Sequence, residues 1–131
     1  MSESDAHVPQ EGDVATVERA FTREDVEAFA ALSGDEGEHH LEADEQGRVV
    51  VHGLLLGVLP TQVGGERNVL AGEMTYEFRR PVYTGETVTC EVETQHVEER
   101  ADRYEIESRA VCTNPAGETV MTAAYEGVIR K

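Results

Sequence analysis

The sequence predicts an α+β domain in which an antiparallel sheet wraps around one buried central helix. Three observations carry that prediction. The stretch Leu54–Val63 is apolar on every side of a helical wheel, so other elements must enclose it. From residue 69 to the end, apolar residues recur at every second position, the period of strands with one buried face. Before both lies a segment rich in β-formers, followed by a single amphipathic helix.

In chain order, residues 1–12 are acidic and polar and read as an N-terminal arm. Val14–Phe21 is the first strand expected. Thr22 occupies an N-cap position with Asp25 three residues on, a shortened capping box. Val26, Phe29 and Ala30 then mark the inner face of a helix from Arg23 to Ser33, which Gly34 stops. Asp35–Arg48 is polar, holds His39 and His40, and reads as a loop. Val49-Val50-Val51 leads into His52-Gly53 and the buried helix, which Pro60 should kink and Gly64-Gly65 end. Four strands follow, joined as hairpins, with the inward sets Met74, Tyr76, Phe78; Val88, Cys90, Val92; Tyr104, Ile106, Ala110, Cys112; and Met121, Ala123, Tyr125, Ile129. Asn114–Gly117 is a turn. One strand, a surface helix, an enclosed helix and an antiparallel sheet together make the hot-dog fold.

Composition narrows function before any motif is considered. The 131 residues carry 27 acidic and 11 basic side chains, a formal charge of −16. Such a chain lacks the basic face that nucleic acid or an anionic membrane surface requires. No apolar run reaches the roughly 18 residues of a membrane span, and the opening segment has neither a signal-peptide nor a transit-peptide pattern. A soluble cytoplasmic protein is expected. Lys131 is the single lysine, and the acids are scattered, a composition resembling that of proteins from a high-salt cytoplasm. Cys90 and Cys112 make no metal-binding pattern, and adjacent His39 and His40 with Glu36, Glu38 or Glu42 do not make a convergent ligand set. No metal is expected.

Three segments could hold chemistry: Ser33-Gly34-Asp35-Glu36-Gly37-Glu38-His39-His40, His52-Gly53, and Phe78-Arg79-Arg80-Pro81-Val82-Tyr83-Thr84-Gly85-Glu86. Alone, Asp35 and His40 read more readily as solvated loop residues than as a catalytic pair. Together, in this order and spacing, the segments resemble the MaoC-like (R)-specific enoyl-CoA hydratase/dehydratase family over most of the chain. That family's pattern is FTxxDVxxFAxLSGD continuing as GDxNPxH, then HG at the central helix, then FxRPVxxGD. This sequence supplies Phe21-Thr22, Asp25-Val26, Phe29-Ala30, Leu32-Ser33-Gly34-Asp35, His40, His52-Gly53 and Phe78 to Glu86. It departs at Gly37-Glu38, where the family has Asn-Pro. Gly37 should loosen the loop, and Glu38 brings a charge that favours the imidazolium form of His40.

The resemblance implies reversible hydration of a trans-2-enoyl-CoA to an (R)-3-hydroxyacyl-CoA. Asp35 and His40 would activate the water, the backbone N–H of Gly53 would polarise the thioester oxygen, and His52 would line or cap the helix mouth. The acyl chain would run along the buried helix near Leu54 and Tyr76. Arg79 and Arg80 could meet the phosphates of coenzyme A or serve only as surface ion-pair partners. The substrate brings its own coenzyme A and no further cofactor is implied. The expected assembly is a homodimer or higher homo-oligomer. Two other readings compete: an acyl-CoA thioesterase on the same fold, and a non-catalytic acyl-CoA-binding or scaffold module.

Overall fold

The computed structural model describes residues 8–131, so residues 1–7 of the expected N-terminal arm lie outside the described residues. From Gln10 the chain is already tied down: Gly12 N–H donates to Thr94 O (2.8 Å) and Thr94 N–H to Asp13 O (2.9 Å).

Strand β1 (Val14–Ala20) precedes helix α1 (Arg23–Ser33). Both halves of the capping box form. Thr22 Oγ1 accepts from Asp25 N–H at 3.1 Å and Asp25 Oδ2 accepts from Thr22 N–H at 2.9 Å. Those bonds hold the Asp25 carboxyl below the usual carboxylate range. Gly34 ends α1 at φ 78°, a left-handed conformation that costs glycine little.

The segment expected to be a loop contains a turn of helix, α2 (Glu38–Leu41). The apolar helix is divided into α3 (Gly53–Leu56) and α4 (Val58–Glu66), which meet at Gly57. Pro60 sits in the first turn of α4, where its missing N–H costs no bond, and Gly64-Gly65 lies within the helix rather than ending it. Leu55, Leu56, Leu59 and Val63 are enclosed, and fully burying each contributes about 1.5–3 kcal/mol. Leu54, expected inside, is 62% exposed.

The strands β2 (Leu70–Phe78), β3 (Thr87–Glu99), β4 (Arg103–Thr113) and β5 (Thr119–Arg130) form with β1 one antiparallel sheet, ordered β1-β3-β4-β5-β2. Only β3-β4-β5 is a run of hairpins. Strand β2 pairs with β5 at the far edge, and residues 79–86 carry the chain back across to β3. That crossing is why Pro81 and Gly85 are not a tight hairpin turn. Of the inner sets of the central strands, Val88, Cys90, Val92, Ile106, Ala110, Cys112, Met121, Ala123, Tyr125 and Ile129 are buried as expected, whereas Tyr104, at the start of β4, is only half-buried. On β2, Met74 (38%) and Phe78 (52%) remain exposed because the strand is at the edge of the sheet, with a paired neighbour on one side only. Among the described residues no helix is long and apolar enough to cross a membrane.

Candidate active site

The short segment 49–51 brings the site together. Val51 N–H donates to Val82 O (2.7 Å) and Thr84 N–H to Val49 O (3.0 Å), which fastens it to the crossing after β2. On its other side, Val50 N–H donates to His39 O (2.9 Å). The chain carrying Asp35 and His40 is thereby clamped against the start of α3, although the two are far apart in sequence.

Asp35 follows the left-handed stop of α1. Its N–H donates to Ser33 Oγ (3.0 Å), and its Oδ1 accepts from Gly37 N–H (3.2 Å). His40 N–H then donates to Gly37 O (2.9 Å). The stretch that has Gly37-Glu38 where the resembled family has Asn-Pro is thus tied by local hydrogen bonds of its own. These bonds place His40 in α2, nearly buried, while the Asp35 carboxylate faces the cleft.

His40 Nδ1 is 2.6 Å from Val50 O. A carbonyl can only accept, so Nδ1 carries a hydrogen, and in the neutral ring the lone pair is on Nε2. That nitrogen lies 3.6 Å from Asp35 Oδ2. A basic nitrogen and a carboxylate oxygen at this separation can share one water, with Nε2 able to take its proton.

His52 stands behind this pair. Its Nε2–H donates to Asp35 O (2.9 Å), its ring stacks on His40 with centroids 3.7 Å apart, and the edge contact with Phe29 is at 4.9 Å. It is buried at the back of the cleft, where it lines the wall and braces Asp35 and His40. Gly53 opens α3, where its N–H has no intrahelical acceptor. A Cβ at Gly53 would lie 2.8 Å from Phe78 Cε1, so only glycine lets that ring close over the helix mouth.

The cleft has a volume of about 640 Å³, and Asp35, His40, Gly53, Leu54 and Phe78 line it, with Arg79 and Arg80 at its edge. Arg79 pairs with Glu77 at 2.9 Å and Arg80 with Glu118 at 3.4 Å. Asp35, His40 and His52 offer potential ligand atoms within 4.8 Å of one another. The stacked rings, 15° from parallel, aim their in-plane lone pairs along separate planes instead of at one ion. This arrangement suits a shared water better than a metal. The structure brings together Asp35, His40, His52 and Gly53. Two contributors that sequence reasoning missed are the Val50 carbonyl, which carries no residue-type signal, and Phe29, whose inward position in α1 was legible but whose contact with His52 was not.

Residues 12–123 match the family described as FAS1-like, dehydratase domain region. The chain is 35% identical over 98 residues to the (R)-specific enoyl-CoA hydratase of Aeromonas caviae, a match covering 67% of this chain and 72% of that one. Among solved structures it resembles the (R)-hydratase of A. caviae involved in PHA biosynthesis. That match has a TM-score of 0.77 and 28% identity, and covers 92% of this chain and 95% of the other. An unliganded R-hydratase from Pseudomonas aeruginosa gives a TM-score of 0.79 at 24% identity, covering 93% and 82% of the two chains. The fold is the hot-dog fold.

Proposed function

Because the chain belongs to the family of FAS1-like dehydratase domain regions, the MaoC-like hydro-lyases, we propose that it reversibly hydrates a trans-2-enoyl-CoA to the (R)-3-hydroxyacyl-CoA. The observation that carries this reading is the His40 Nε2 lone pair 3.6 Å from Asp35 Oδ2, at the wall of a cleft that opens beside Gly53. The water held by these two atoms gives a proton to the pair as its oxygen bonds to the β-carbon. The C=C electrons move onto the α-carbon and thioester oxygen, and the Gly53 N–H stabilises that oxygen. Return of the proton to the α-carbon completes the addition. Arg79 and Arg80 at the cleft are held in ion pairs with Glu77 and Glu118, which favours the surface ion-pair role over a contact with the coenzyme A phosphates.

The test is the enoyl absorbance of crotonyl-CoA, followed with the wild-type protein and with chiral analysis of the product. Loss of absorbance with (R)-3-hydroxybutanoyl-CoA formed is the expected result. Thiol release from saturated acyl-CoA with the enoyl thioester untouched would replace this reading with the thioesterase one. Acyl-CoA binding without turnover of any thioester would replace it with the non-catalytic one.

The working unit is a homodimer joined along β2. This strand has a neighbour on one side only, and Leu54, Leu70, Met74 and Phe78 lie exposed on or beside it. An uncovered apolar edge is a site for strand addition. Light scattering should give twice the 14.4 kDa chain mass. A fully active monomer would overturn the dimer.

A further inference from the structure

The groove between β2 and the central helices is closed partway along, and the closure bears on which acyl chains fit. Met74, Tyr76 and Phe78 share one face of β2, as alternate strand residues must. The helical residues opposite them are glycines one turn apart. A Cβ at Gly53 would lie 2.8 Å from Phe78 Cε1, and one at Gly57 would lie 3.2 Å from both Cε1 and the hydroxyl of Tyr76. Phe78 and Tyr76 stack 9° from parallel with centroids 6.0 Å apart, and the Tyr76 hydroxyl reaches Met74 Sδ at 3.6 Å. The three side chains form a continuous row against the helix.

Two cavities flank the middle of this row. The first is the active-site cleft, which reaches Phe78 on the strand and Leu56 on the helix. The second, about 140 Å³, is mainly apolar and begins at Met74 on the strand and Pro60 on the helix, continuing to Thr61, Val69 and Tyr125. Tyr76 and Gly57 fall between the two and line neither. Burial pushes the Tyr76 phenol up, so the ring stays neutral in its apolar seat.

On the hydratase reading above, we infer that Tyr76, seated on Gly57, is the partition that restricts this enzyme to short trans-2-enoyl thioesters, and that the cavity behind it is a blocked extension of the acyl site. The geometry sets the length. Gly53, where the thioester oxygen is held, is about 6 Å of helix rise from Gly57. An extended chain advances about 1.25 Å per carbon, given C–C bonds near 1.5 Å. Roughly five carbons fit before the ring. A four-carbon chain is accommodated, whereas an eight-carbon chain needs the Tyr76 ring displaced from its seat on Gly57.

The experiment compares kcat/KM for crotonyl-CoA and trans-2-octenoyl-CoA in the wild type, Tyr76→Ala, Tyr76→Leu and Tyr76→Phe. The octenoyl-to-crotonyl ratio should be well below one in the wild type and in Tyr76→Phe, which keeps the ring. It should rise at least tenfold in Tyr76→Ala, or in Tyr76→Leu should the alanine variant not fold. A wild-type ratio near one, or a ratio unmoved by removal of the ring, overturns the partition. Hydration of neither substrate overturns the hydratase reading, and the partition is then tested by thermal stabilisation. Butanoyl-CoA alone should raise the wild-type Tm, and both butanoyl-CoA and octanoyl-CoA that of Tyr76→Ala. Equal shifts by the two ligands in the wild type overturn it.

Discussion

His40→Ala lowers crotonyl-CoA hydration at least about a hundredfold, the lower range for removing a positioned acid–base group. The expectation rests on which ring nitrogen is free. Val50 O fixes the hydrogen on Nδ1, so in the neutral ring the Nε2 lone pair faces the Asp35 carboxylate, where the proposed reaction places its water. Alanine leaves the carboxylate in place without the nitrogen that takes the proton. A hundredfold corresponds to about 2.7 kcal/mol of barrier. The substitution also strips His52 of its stacked neighbour, so the far-UV spectrum and Tm belong beside the rate. Partial rescue by added imidazole would separate lost chemistry from lost structure, since the cleft is open to small molecules. A wild-type rate from a folded His40→Ala protein would remove His40 from the mechanism.

How far the sequence could be read depends on what each residue leaves as a trace. The inward alternation of β3, β4 and β5 was legible because each of those strands has a paired neighbour on both sides and one face on the helix, so burial follows period two. The same period on β2 misled. Met74 and Phe78 alternate like core residues, yet they sit at an edge that this chain alone leaves uncovered. Strand order was not legible either. A Pro81–Gly85 stretch looks the same whether it turns a hairpin or crosses the sheet, and here it crosses because residues 82–84 are held by 49–51. In the site, Asp35, His40 and Gly53 could be picked out because the segments that hold them resemble a family pattern, whereas alone they would read as loop residues. The bond from His52 to Asp35 O and that from His40 to Val50 O could not, since any residue offers a carbonyl. Sequence therefore pointed to residues that the fold brings together at one cleft and missed the carbonyls that orient them.

Asp35→Asn is the sharper of the two substitutions because it alters so little else. Asparagine has the same shape and keeps an oxygen for Gly37 N–H, and the backbone carbonyl that accepts from His52 is untouched. What goes is the charge, together with the acceptor facing His40. In place of Oδ2, the amide can turn an N–H toward Nε2, and a donor there occupies the lone pair that must receive the water's proton. The carboxylate also stabilises the imidazolium formed as water adds. Two unit charges about 4 Å apart near a protein surface attract by about 4 kcal/mol at most. Since Asp35 is more than half exposed, screening reduces that. Charge loss and the blocked lone pair together lower the rate at least about a hundredfold with stability nearly unchanged. If one water is held by both groups, the losses do not multiply. The double variant Asp35→Asn/His40→Ala should be within about tenfold of His40→Ala alone, because groups acting as a unit are non-additive. A double variant some ten-thousandfold below wild type would mean that Asp35 and His40 act on separate steps, and the shared water would have to be abandoned.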